Sequence, residues 1–280
     1  MEAVFLAAMA GVLWSLNPPV IKRFAGGMDP VAFNGARGIY AVLVLTLYML
    51  VKGVAPSVRP EGLALIYLSA LLGPVLGDIF YIKAIVSIGG GNAITIGYLY
   101  IFVAQLIGIY VLGEKPDAHL LIGSLVAFTG IYLIYNGGGE SIRGRGVAYA
   151  LAAAVLWGMS AVCSKLATQY GDALSLGFTR NVFLVLSIVL VRGLLPARYA
   201  LSRNGFIAGF ITGGLSFGVG MVLFIEALAT GGVSLAVLPT IIAPALARFT
   251  SRIIAGEVVG WRSIAGTLVT VAGIALGSLG

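Results

Sequence analysis

Apolar residues run along this chain in stretches of about 20, and only short turns separate one stretch from the next. The stretches predict ten spans, at roughly 3–22, 30–51, 62–85, 91–112 and 118–136, then 145–165, 172–192, 204–227, 231–254 and 260–278. Glycine, proline and charge punctuate the joins, as at Gly26-Gly27, Pro56, Pro60, Gly137-Gly138-Gly139 and Pro196. The longest polar stretch, Gly137 to Arg145, divides the spans into two sets of five. The predicted fold is an all-α membrane protein of ten transmembrane helices, with one five-helix unit over 1–137 and another over 144–280.

The second unit copies the first. Tyr81-Ile82-Lys83-Ala84-Ile85, a glycine turn at Gly89-Gly90-Gly91, an apolar run and Gly113-Glu114 return as Phe224-Ile225-Glu226-Ala227-Leu228, Gly231-Gly232, an apolar run and Gly256-Glu257. One offset of 143 residues carries Ala84 to Ala227 and Glu114 to Glu257. It also pairs Trp14 with Trp157, Lys22 with Lys165, Arg37 with Arg180, and Gly123 and Gly130 with Gly266 and Gly273. Alanine and glycine coincidences are cheap in such a composition; Trp, Lys, Arg and Glu coincidences at one offset are not. Five spans is an odd number, so the second unit enters the membrane from the other side. The units are therefore expected to be inverted about a pseudo-two-fold axis in the membrane plane, an arrangement that marks membrane transporters.

Composition excludes most other classes. Of the 280 residues 60% are hydrophobic and 10% charged, and mean hydropathy is +1.06, whereas soluble domains carry about 25% charged residues. The 40 glycines suit helices packed backbone to backbone. The net charge of +7 is dispersed over loops and helix ends, which argues against a nucleic-acid partner. Cys163 is the sole cysteine and forms no intrachain disulfide. Met1-Glu2-Ala3 lacks a basic leader region, so the first span is expected to be retained as a helix. No nucleophile elbow, zinc-protease helix, phosphate loop or Cys/His cluster is present, and His119 is a loop residue beside Asp117. No catalytic residue, metal site or cofactor is expected, and the chain is not read as an enzyme.

Several of these features together resemble the drug/metabolite transporter superfamily, in particular its EamA-type ten-helix members. They are the Ala-Ile and Ala-Leu pairs ending the third and eighth spans, Pro244 in the ninth, Gly113-Glu114 and Gly256-Glu257, and the glycines of the fifth and tenth. The resemblance covers both units. It implies a five-plus-five inverted fold and export or exchange of small metabolites without ATP hydrolysis. The chain departs from the pattern at Ile101, where the family usually has the proline kept here as Pro244, so a bend in the fourth span is not implied. Basic residues give a conflicting orientation. Lys22, Arg23, Lys83, Arg143, Arg145, Arg192, Arg198, Arg203, Arg252 and Arg262 share the face of the first loop, against Lys52, Arg59, Lys115 and Lys165 on the other. The positive-inside rule then puts both termini outside, whereas the resemblance implies termini inside.

Charge within the spans points to function, because hydrocarbon does not solvate it and a central ionised residue costs about 2.5–3.5 kcal/mol on insertion scales. Arg37, Asp78 and Arg248 are expected near one membrane face, with Arg37 paired to Asp78 and Arg248 left to meet an anion. Arg37 and Arg180 recur in both units, which suits a scaffold role tying the second and seventh spans to loop carboxylates. Asp78 and Arg248 are matched by Met221 and Gln105, so they read instead as handling substrate or protons. Unpaired, Asp78 would take up a proton; paired with arginine it would stay ionised. Pro18 and Pro19 should kink the first span and free carbonyls near Trp14 and Ser15. Trp14, Asn17, Trp157 and Ser160 are expected to face a central cavity, with Tyr81, Tyr98 and Tyr100 adding aromatic wall. Glu114 and Glu257 are read either as a gate or as caps for a neighbouring helix. The function expected is secondary transport of an amino-acid-like or organic-anion metabolite by alternating access. Proton-coupled efflux of hydrophobic cations and a non-transporting scaffold or receptor are the alternatives. Its partners are the lipid bilayer, the solute and a proton or counter-substrate, and the chain acts as a monomer or homodimer.

Overall fold

The computed structural model describes residues 1–24, 29–115, 117–135, 144–193, 203–256 and 259–279. Among them the chain is helical, and strand pairing is limited to one antiparallel bridge between Val58 and Gly171. The helices are α1 (Glu2–Trp14), α2 (Asn17–Phe24), α3 (Pro30–Lys52), α4 (Pro60–Ala70), α5 (Asp78–Gly97), α6 (Tyr100–Leu112) and α7 (Ala118–Tyr135). After them come α8 (Gly144–Ala167), α9 (Ala173–Arg192), α10 (Arg203–Gly209), α11 (Met221–Val237), α12 (Ile242–Ala255) and α13 (Trp261–Gly277). Wide π-helical turns, Leu71–Gly77 and Phe210–Gly220, join α4 to α5 and α10 to α11, and the 3₁₀ turn Leu238–Ile241 joins α11 to α12.

Seven stretches are long and apolar enough to cross a membrane, and Ala118–Ile134 and Trp261–Gly277 are shorter apolar helices. One stretch, Arg203–Ile254, has 52 residues, enough for two crossings, and it breaks at Gly232, whose φ of 78° is open to glycine. The surface agrees with this reading. Leu47, Leu50, Val51, Leu190 and Ile253 lie exposed, whereas Asn34, Arg37, Gln105, Arg180 and Asn181 are buried. An apolar exterior around a polar interior is stable in lipid and not in water. The chain is a multi-pass membrane protein.

The sequence repeat reappears in local structure. Asp29 caps α3 by accepting from the Ala32 amide at 2.8 Å, and its counterpart Asp172 caps α9 by accepting from Ser175 at 2.9 Å. Gly113 and Gly256 end α6 and α12 in the left-handed region, at φ 71° and 72°. The two π-helical turns end at the paired positions Gly77 and Gly220. Asn34 donates to the Pro74 carbonyl at 2.8 Å and Asn181 to the Phe217 carbonyl at 3.0 Å, so the paired carbonyls of residues 74 and 217 are each bonded by an asparagine, although the two asparagines are not themselves counterparts.

The halves meet along a glycine seam between α7 and α13. A Cβ built on Gly123 would fall against Gly273 and Gly277, and one built on Gly130 against Gly266 and Thr270. Low numbers on one helix meet high numbers on the other, so the two run antiparallel. Thr270 Oγ1 donates to the carbonyl of Ala127, its own counterpart, at 3.4 Å. Paired residues touching across antiparallel helices put a two-fold axis perpendicular to them.

Proline at 18 and 19 ends α1 at Trp14 and restarts the helix at Asn17 as expected. The freed carbonyls find side chains, since Thr250 donates to Ser15 at 2.7 Å and Ser216 to Leu13 at 3.1 Å. The fourth span also breaks, although Ile101 replaces proline. Ile101 and Phe102 donate to the carbonyls three residues back, tightening the turn at Tyr98-Leu99 opposite the 3₁₀ turn of the second half. Proline is thus dispensable for the bend. Helix α5 continues through Gly89-Gly90-Gly91, where the sequence predicts a turn.

Candidate functional site

The site forms where each half's first span crosses the other half's third, or the reverse. Gly77 gives Trp157 of α8 room, since a Cβ there would sit 2.7 Å from the indole Cδ1. Gly220 does the same for Trp14, at 2.9 Å from Nε1. The two crossings are images of each other, and so are the aromatic pairs that flank them. Trp157 packs 4.8 Å from Tyr81, and Trp14 packs 5.3 Å from Phe224, the residue paired with Tyr81.

Charge breaks the symmetry. Trp157 donates its indole N–H to Asp78 Oδ1 at 2.9 Å, while Trp14 donates to the Ser216 carbonyl at 3.1 Å because Met221 occupies the place of Asp78. Arg37 donates to the other carboxylate oxygen, Asp78 Oδ2, at 2.9 Å and to Asn34 Oδ1 at 3.1 Å. Its guanidinium lies 3.5 Å from the centroid of the Phe217 ring. A buried carboxylate held by a guanidinium and an indole has its charge compensated on both oxygens. The Arg37–Asp78 pairing expected from the sequence is present. The loop carboxylates expected for Arg37 and Arg180 are not their partners among the described residues. Both arginines are engaged at membrane depth, where the hydrogen-bonding groups of other spans lie closer.

Asp78 keeps 14% of its side-chain surface exposed, against 4% for Arg37, so the carboxylate reaches open space at the junction of the halves. Trp14, Tyr81 and Trp157 are half-buried around it or around its image, and Asn17 is half-buried at the start of α2. Tyr98 and Tyr100 are buried, edge to face with centroids 5.5 Å apart, and Tyr100 packs 6.3 Å from Trp157. The Tyr100 hydroxyl is bonded to Thr240 across the halves. Ser160 donates to the Ser69 carbonyl at 2.8 Å in a cluster with Ser164 and Arg180. Among the described residues, buried Asn17 Oδ1 has no hydrogen-bond partner. The side chain of Arg248 and all of Glu257 lie outside the described residues.

Glu114 resolves as a cap. Its Oε1 accepts from the Val233 amide at 2.6 Å and its Oε2 from Ser234 at 2.9 Å, immediately after the break at Gly232. A carboxylate from one half thus satisfies the first amides of a helix in the other. An open pocket of about 300 Å³ lies beside it, lined by Glu114, Lys115, Asp117 and Ser234. Of the two carboxylates that line it, that of Glu114 is engaged by the cap. Glu114→Ala is expected to lower stability by about 2 kcal/mol, read as an earlier unfolding transition in detergent, with Glu114→Gln falling between it and the parent.

The EamA-like transporter family matches the chain twice, over residues 1–136 and 144–279. The chain belongs to that family. An uncharacterized transporter of Archaeoglobus fulgidus is 22% identical over 276 residues, covering 99% of this chain and 98% of that protein. The uncharacterized transporter YvbV of Bacillus subtilis is 27% identical over 287 residues, covering 98% and 91%. A solved structure described as "Crystal structure of protein" superposes with a TM-score of 0.81 at 19% identity, covering 100% of this chain and 99% of that one, which shows a shared fold. The resemblance read from the Gly-Glu pairs and the glycine patterns therefore holds. Membership does not account for Thr240, Phe217 or Ser69, which the sequence reading passed over. Phe217 and Ser69 carried a signal, as the counterparts of Pro74 and Thr212; Thr240 carried none.

Proposed function

We propose that this protein is a secondary transporter in which two inverted five-helix halves rock about the Asp78–Trp157 junction and carry a small organic-anion or amino-acid-like metabolite. Counting Arg203–Ile254 as two crossings and each shorter helix as one brings the spans to ten, as the reading requires. The antiparallel seam of α7 and α13 and the paired Trp–Gly crossings support inversion. One observation carries the proposal: a charged, partly open centre lies at the contact between halves inside an apolar shell. Carboxylate and guanidinium cost too much there to be retained for packing alone.

The cation-efflux reading needs Asp78 to be free for a cationic solute. The Arg37 and Trp157 bonds favour the anion reading over it. The test is reconstitution into liposomes loaded with one member of a metabolite panel, with counterflow of labelled solute measured across the membrane. Protein-dependent exchange of an organic acid or amino acid is the expected result. Exchange of lipophilic cations alone would transfer the function to Asp78 as an acidic site, and absence of any exchange would leave a scaffold or receptor.

A further inference from the structure

Arg180 and Arg37 occupy equivalent places. Arg37 Nε donates to the Thr212 carbonyl at 3.4 Å, and Arg180 Nε donates to Ser69 Oγ at 3.0 Å, residue 69 being the counterpart of residue 212. Beyond this shared bond the two diverge. The acceptors that Arg37 uses, Asp78 and Asn34, are replaced in the second half by Met221 and Gly177. Arg180 is left with Ser160 Oγ at 3.4 Å, and among the described residues no carboxylate forms an ion pair with it. A guanidinium has five N–H donors, and among the described residues two of them are engaged here, both by neutral oxygens. The hydroxyls themselves are held by one another, Ser69 and Ser164 lying 2.6 Å apart.

We propose that Arg180, with Ser69 and Ser160, is the anion subsite of the transporter and takes the carboxylate of a small organic acid with an aromatic or apolar body. This rests on the transport reading and adds to it the residue that selects charge. Arg180 is 5% exposed and carries a charge that, among the described residues, no carboxylate bonds directly. Arg37, Arg180 and Asp78 together leave one positive charge, which a monoanion cancels and a cation worsens. The planar fork of a guanidinium matches the two oxygens of a carboxylate. Gly73 lets the backbone of the facing span come close to this cluster, because a Cβ there would sit 2.5 Å from Nη2 and 2.6 Å from Ser160 Oγ. Ser160 and Trp157 are three residues apart on α8 and share a face. The aromatic wall of Trp157, Tyr81 and Tyr100 therefore begins one turn from the guanidinium and would receive the body of the acid.

The experiment uses purified protein in detergent with three probes of one shape: benzoate, benzamide and benzylammonium. Binding is read by the shift of the thermal unfolding transition and by titration of tryptophan fluorescence. Benzoate is expected to bind and the other two are not. Arg180→Gln should weaken benzoate by about tenfold or more, with Arg180→Lys weakened less because charge remains while the fork is lost. Should Arg180→Gln fail to fold, Met221→Asp tests the same point. It returns a carboxylate to the place equivalent to Asp78 and is expected to abolish benzoate binding by supplying the anion internally. Benzamide binding as well as benzoate, no benzoate binding to the parent, or benzoate binding unchanged in the variants would each overturn the subsite. Liposome counterflow by the parent protein separates the two claims: exchange that persists while Arg180 proves irrelevant removes the subsite and keeps the transporter.

Discussion

Asp78→Asn is expected to destabilise the protein by about 3 kcal/mol, the scale for removing one member of a buried ion pair. The loss is expected to shrink when Arg37→Gln is added. Asparagine can still accept from the Trp157 indole, so that bond survives. What fails is compensation of Arg37, whose remaining acceptors are the neutral oxygens of Asn34 and Thr212. A buried guanidinium without a counter-charge is the costly species, and the double variant removes it. The two single variants and the double one form a cycle, and denaturant unfolding in detergent would report a coupling of about 1 kcal/mol or more. Additive losses would mean that the 2.9 Å contact between Arg37 and Asp78 contributes nothing.

Gly130→Leu and Gly273→Leu, at paired positions of the repeat, are expected to damage the protein equally and severely. A Cβ at Gly273 would lie 2.7 Å from Ala127 Cα and from the Gly123 carbonyl oxygen. At Gly130 it would lie 2.5 Å from the Gly266 carbonyl oxygen and 2.6 Å from the Thr270 amide. These neighbours are backbone, which cannot swing aside, so a leucine must push α7 and α13 apart. Overpacking at a yielding site costs about 1–3 kcal/mol, and this site does not yield, so about 3 kcal/mol or more is expected for each. The combined variant should lose less than twice that, since the first leucine already opens the seam that the second would enter. Unfolding transitions of the three variants measure this, and a Gly273→Leu protein as stable as its parent would refute the seam.

Much of the frame was legible because duplication prints the same physical requirement twice. Asp29 and Asp172, Gly113 and Gly256, and Trp14 and Trp157 each recur at one offset, and each pair does the same structural task in both halves. The site was harder to read because its chemistry lies where the copies differ. Asp78 stood out as a charge without a counterpart, and its partner Arg37 could be guessed from depth. The spacing of Ser160 from Trp157 is legible, but its bond to the Ser69 carbonyl in another span is not. Arg180 is the counterpart of Arg37, and only the three-dimensional arrangement shows which acceptors engage Arg37 and are therefore missing around Arg180. The bend at Tyr98-Leu99 had no legible cause in the chain either, because tightened backbone bonds leave no residue signature when proline is absent.

The wide turns Leu71–Gly77 and Phe210–Gly220 give each half something a uniform helix lacks. A stretch wound with its hydrogen bonds one residue further along is shorter and broader than the same residues wound as α-helix. Rewinding either one would lengthen its span and screw the residues beyond it about the helix axis, Asp78 in one half and Met221 in the other, with no unfolding. The charged centre is thus mounted on a helix that has slack to give, and the opposing half holds a longer slack of the same kind.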